Sequence, residues 1–189
     1  MNSKILASLS VLIMILATLF VLAPAMAENS KKIPVTFTRG GSFLTTGEHW
    51  YSEEGDYHLR DTTIGFATYA IAGPSISYTG NSEGTMWSNL HEVHKVGSNT
   101  IGYGQATTDS QIVFSNDGTF EGIIQMKGTF AILPETVATN LRGYTMLVNG
   151  DFRGVWHGTG IYAGQTLMLE YTVVNGVTPS TLTGTLLIP

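Results

Sequence analysis

Residues 143–174, GYTMLVNGDFRGVWHGTGIYAGQTLMLEYTVV, decide the fold. Two apolar-alternating runs flank Asn149-Gly150, a dipeptide that accepts the positive φ angles of a two-residue hairpin turn. The pattern predicts Tyr144–Val148 and Asp151–His157 as the arms of that hairpin. A glycine-punctuated turn from Gly158 to Gly164 then leads into a clean strand, Thr166 to Val174. Strand, turn and strand in close succession are the grammar of an antiparallel sheet that curls on itself.

Working outward, the same grammar recurs. Thr181 to Ile188 alternates, with Leu182, Leu186 and Ile188 on one face and threonines on the other, and is expected to pair with Thr166–Val174. Gln111–Phe114 and Phe120–Met126 flank Asn116-Asp117-Gly118, a tight turn in which Gly118 suits a left-handed bulge. Tyr57–Asp61 and Ile64–Ile71 read as two strands, Ser75–Trp87 as two more around Gly80-Asn81-Ser82, and Ile101–Ala106 as another. Val35–Thr38 reads as a short strand closed by Gly40-Gly41, and Gly47–Tyr57 as a charged, aromatic loop. Asn89–Ser98 fits neither period. Leu133–Leu141, entered by Pro134, is a short helix or a loop. The expectation is an all-β fold: a single antiparallel β-barrel of about eight to ten strands. Gly65, Gly122, Gly154 and Gly184, inside strands, favour closure, because curvature concentrates at glycine kinks.

The N-terminal residues read as targeting rather than fold. Lys4 precedes an apolar run from Ile5 to Ala23, Pro24 ends it, and Ala25-Met26-Ala27 has the small-residue pattern of a cleavage site. Residues 1–27 are expected to be a signal peptide and 28–189 the barrel. The alternative is an uncleaved anchor over residues 5–23, since about 19 apolar residues approach the length needed to span a bilayer. Either way the barrel is expected outside the cytoplasm, touching a membrane only through that segment.

Composition narrows the function classes. Charged residues are 12% of the chain, the formal net charge is −5, and the basic residues are scattered, which argues against a nucleic-acid partner. There is no cysteine, so the domain is held by packing and backbone pairing. No nucleophile elbow, phosphate loop, paired-cysteine zinc site or dinucleotide fingerprint is present, and no cofactor is expected.

Gly158-Thr159-Gly160-Ile161-Tyr162-Ala163-Gly164, with the strand through Tyr171, resembles the glycine turn and strand near the end of allene oxide cyclase and dirigent-like barrels, in particular their uncharacterised exported members. The resemblance covers the last quarter of the chain. It implies an eight-stranded barrel with a lipophilic cavity. No catalytic residue of that family falls on a matching motif here.

The chain's own candidates are few. His58 and Arg60 share one face of a strand, where a cation and an imidazole could serve an enolate or carboxylate. His91 and His94, spaced i, i+3, would face one metal on a helix and diverge on a strand, so no metal is expected unless that segment is helical. Trp50, Tyr51, Tyr57, Trp87 and Trp156 are the aromatic candidates for lining a lipophilic site, with Trp50-Tyr51 cast as a lid or plug. Three readings follow: a binding barrel for a small apolar or amphipathic molecule, a cyclase- or isomerase-type enzyme using interior polar groups, and a solid-cored structural or surface-interaction module.

Overall fold

The computed structural model describes residues 30–45, 47–114, 118–133, 144–177 and 181–189. The signal or anchor segment lies outside these residues, as does the expected helix beyond Leu133.

Among the described residues nine strands follow one another: β1 (Lys31–Thr45), β2 (Glu48–Tyr51), β3 (Tyr57–Gly73), β4 (Ile76–Val96), β5 (Asn99–Phe114), β6 (Gly118–Ile132), β7 (Thr145–Gly158), β8 (Thr166–Val173) and β9 (Leu182–Ile188). Every ladder is antiparallel, from β3–β4 round to β9–β1. β1 also pairs with β3, which closes eight strands into a barrel. β2 is the extension of β1: Thr45 faces Thr63, Glu48 faces Arg60, and the register along β3 is the same on both sides of the break. Gly47 N donates to the buried Thr62 hydroxyl (3.2 Å) at that break. Trp50 and Tyr51 are therefore strand residues, not loop residues.

Several expected pairs of short strands are single long ones. β3 joins Tyr57–Asp61 to Ile64–Ile71, and β4 runs unbroken through Gly80-Asn81-Ser82. Gly80-Asn81-Ser82 keeps one register with β5 and one inward parity, whereas the break in β3 is a bulge that moves the inward face from one parity to the other. In β3, Tyr57 and Leu59 are buried, Asp61 takes φ +57°, and Thr62 is buried next. In β1 the parity changes at Gly41, φ +61°, with no shift of the β1–β3 register. In β4 the bulge falls at Glu92, φ +52°, between His91 and His94.

The largest correction concerns Asn149-Gly150. It is not a turn. β7 passes straight through it, with Gly150 facing Gly128 on β6 and Val173 on β8. The residues expected as two hairpin arms are one strand, kinked at Val148, which has no partner in the β6 register. The second Asn-Gly of the chain makes the turn instead. Asn175 and Gly176 have φ +54° and +71°, and Val177 N donates to Val174 O at 3.1 Å. The other two expected pairings hold: Ile112 faces Phe120, and Leu169 faces Gly184. Residues 115–117 of the β5–β6 connection lie outside the described residues. Gly118, expected at a left-handed bulge, is instead the first residue of β6, with no room for a Cβ against the Tyr162 ring.

The interior holds two apolar clusters toward opposite ends of the strands. One contains Phe37, Ile71, Ile112, Phe114, Phe120, Trp156, Leu167 and Leu186. Its end is stoppered by Tyr162, delivered by the 3-10 turn Gly160–Tyr162 onto Phe120 (5.2 Å between centroids), Phe114 (5.7 Å) and Tyr78 (4.9 Å). The other contains Tyr57, Leu59, Met86, Leu90, Phe130, Ile132, Leu147 and Val173. The interior glycines are used for side-chain room: Gly154 carries the Trp156 indole and Gly184 the Phe37 ring, each where a Cβ would collide. Neither has a positive φ.

Candidate functional site

Between the two clusters the barrel holds a cavity of about 530 Å³. Its wall is largely apolar: Phe37, Ile64, Phe66, Met86, Ile112, Ile124, Met126, Phe152, Trp156, Leu169 and Leu182 all contribute. That volume lies within the range typical of small-molecule sites.

Among the described residues one cation stands at this cavity. Ile33, Val35 and Phe37 point inward from β1, and Arg39 continues their alternation into the cavity wall before Gly41, at φ +61°, resets it for Ser42 and Leu44. Arg39 faces Tyr69 across the β1–β3 ladder. Its guanidinium lies 4.9 Å from the centroid of Phe66 and hydrogen-bonds the Tyr171 hydroxyl. Arg39 as a whole is exposed, so its head sits at a mouth where the apolar wall meets water. Among the described residues no carboxylate pairs with it, and the one carboxylate in the wall, Glu83, is exposed on the outward parity of β4.

Three tyrosines surround this cation. Burial pushes the Tyr144 hydroxyl up to about 12, with the Arg39 charge pulling the other way and Tyr171 adding to the rise. Burial drives Tyr69 higher still against the same Arg39 charge. Tyr171 is raised by burial and drawn down by the charge and hydrogen bond of Arg39. All three are neutral hydroxyls at neutral pH. Phe152 stacks on Tyr171 at 4.4 Å and fixes its ring. The Trp156 residue is 1% exposed, and its indole N–H has no acceptor among the described residues. An unmade hydrogen bond of that kind costs about 1–3 kcal/mol.

The expected site residues scatter. His58 and Arg60 lie on the outward parity of β3, away from the cavity wall. His58 Nδ1 meets Asn89 Oδ1 at 2.8 Å and its ring stacks on Trp50 at 5.2 Å, while Arg60 lies 5.8 Å from the Trp50 ring. Trp50 and Tyr51 are exposed on β2, and Trp87 donates from the outer face of β4 to Asp61 at 3.2 Å. Tyr57 is buried in the second apolar cluster. Of the five aromatic candidates only Trp156 lines the cavity. His91 pairs with Asp56 (2.7 Å) and His94 turns to the Glu92 carbonyl (2.6 Å). The strand and its bulge separate them, and no metal-competent cluster of His, Cys, Asp or Glu occurs among the described residues.

Arg39 is the residue that sequence reading passed over. Its signal was available: an arginine in the apolar parity of Ile33-x-Val35-x-Phe37. Tyr69 and Tyr171 stood out only as two of many aromatics and Tyr144 not at all, because only the closed barrel brings them beside Arg39. No family model matches this chain, and neither a curated protein nor a solved structure does.

Proposed function

We propose that this protein is an exported β-barrel that holds one small apolar or amphipathic molecule in its interior. The observation that carries the reading is the 530 Å³ cavity between two packed clusters. An eight-stranded barrel encloses just enough space either to be filled by its own side chains or to keep one small ligand. Here part of that space is left open and walled by apolar side chains. The likeness of the Gly158–Tyr171 segment to allene oxide cyclase and dirigent-like barrels points the same way, and the apolar run with its Ala25-Met26-Ala27 site is the support for export. The cavity weighs against a solid-cored interaction module. The outward placement of His58 and Arg60 takes away the residues on which an enzyme reading leaned.

Titration of the purified protein with the neutral fluorophore N-phenyl-naphthylamine tests the reading. One saturable site per chain is expected, together with a raised thermal midpoint in its presence. Absence of saturable binding to a cooperatively folded sample overturns it.

A further inference from the structure

The ligand's head group is legible from the hydrogen-bonding inventory of the cavity. A guanidinium offers five N–H donors and no acceptor, and an indole offers a donor alone. Arg39 spends a donor on the Tyr171 oxygen, which leaves the Tyr171 proton free to point onward. Tyr69 and Tyr144 lie close enough to feel the Arg39 charge. The Trp156 N–H is deeply buried with nothing to donate to among the described residues. The site is thus rich in donors and carries one positive charge that no carboxylate among the described residues offsets. The apolar wall extends from there past Met86, Ile112, Met126 and Leu169.

We propose that the cavity takes an amphiphile with an anionic, carboxylate-type head, held at the mouth by Arg39 with the Tyr69, Tyr144 and Tyr171 hydroxyls, its apolar tail lying inside the barrel. This rests on the reading of the barrel as a binding module and adds the charge of what is bound. A cationic amphiphile would meet the guanidinium, and a plain hydrocarbon would leave it unanswered. The chain's formal net charge of −5 does not favour anions at long range, so selectivity for one must come from these local donors. A hydrogen bond between two charged groups is stronger than one to a neutral head, so an anion should be preferred by about tenfold or more.

The test compares two probes that share one fluorophore, neutral N-phenyl-naphthylamine and anionic anilinonaphthalene sulfonate, on the full chain. Wild type should bind the sulfonate about tenfold more tightly, at one site for which both compete. Decanoate should displace either probe at about tenfold lower concentration than decanol. Arg39→Met should erase both preferences, bringing the sulfonate and the neutral probe, and decanoate and decanol, to equal affinity. Should Arg39→Met not fold, Tyr171→Phe supplies the mutant arm, with a reduced preference expected, and the wild-type comparison needs no variant. Equal binding of the two probes, or a preference that survives Arg39→Met, overturns the anionic head while leaving the binding barrel standing. Failure of the neutral probe to bind at all overturns the barrel reading itself.

Discussion

Asn149 Oδ1 accepts a hydrogen bond from the backbone N–H of Asn175 at 2.8 Å. Each asparagine is followed by glycine, yet only the second pair is a turn. Asn149-Gly150 is a kinked strand interior, and its side chain and the Val148 carbonyl, which accepts from Gly176 N at 2.8 Å, brace the turn made by Asn175-Gly176.

The two glycines should therefore respond differently to the same change. At Gly176 a Cβ meets open space, and the cost of alanine is the positive φ alone, about 1–2 kcal/mol. At Gly150, φ +145°, a Cβ would fall 2.1 Å from the Lys127 carbonyl oxygen and 2.8 Å from the Gly128 Cα. Both neighbours are backbone and cannot swing away. Gly150→Ala should therefore cost at least about 2 kcal/mol, and more than Gly176→Ala. Urea unfolding of both variants checks the order; equal midpoints would contradict the through-strand placement of Gly150.

This pair also shows why local reading reached the fold class but not the strand boundaries. Alternation of apolar and polar residues is enough to say strand, and the short glycine- and asparagine-rich stretches between the runs are enough to say antiparallel barrel. What ends a strand is different: whether a partner continues alongside. Gly150 stays in a strand because β6 and β8 run past it on both sides. Asp61, Glu92 and Gly41 break the alternation without ending their strands, so each reads locally as a loop or a strand end. The site was hidden for the same reason. Arg39 stood in a visible apolar parity, but its value depends on Tyr144 and Tyr171, more than a hundred residues away in sequence and near it only once β1 meets β3 and β9.

Outer-face residues should be silent in probe binding. His58 and Arg60 stack with Trp50 on the outside of β3. His58→Ala and Arg60→Ala should leave the affinity for N-phenyl-naphthylamine within about twofold of wild type and shift stability by less than about 1 kcal/mol, as surface contacts do. A tenfold loss of probe affinity in either would place the site on the wrong face of the sheet.

Cavity volume is set partly by Gly154. The Trp156 indole lies flat on it, and a Cβ there would sit 2.1 Å from the six-membered ring. Gly154→Ala must push the indole off its own strand, and the indole is part of the cavity wall. Overpacking of this kind costs about 1–3 kcal/mol. Probe affinity should fall by about tenfold or more as the cavity shrinks, and the tryptophan fluorescence should shift. A Gly154→Ala protein that binds the probe like wild type would mean the cavity is not the site.

Alkaline pH should loosen the barrel through its tyrosines before it touches the backbone. Burial holds the Tyr144 proton to about pH 12, and Tyr69 and Tyr171 are raised as well, whereas in the unfolded chain each ionises near 10. Between those values the native state binds more protons than the unfolded one, so unfolding free energy falls as pH rises. The stabilisation is complete below pH about 10 and is lost progressively up to about 12. The phenolate absorbance of the folded protein should accordingly show a group that ionises late, together with the unfolding transition. Tyr144→Phe removes one of these protons and should flatten the decline measured by urea midpoints across that window. A variant whose midpoint drops with pH as steeply as wild type would show that the Tyr144 hydroxyl is not held in the interior beside Arg39.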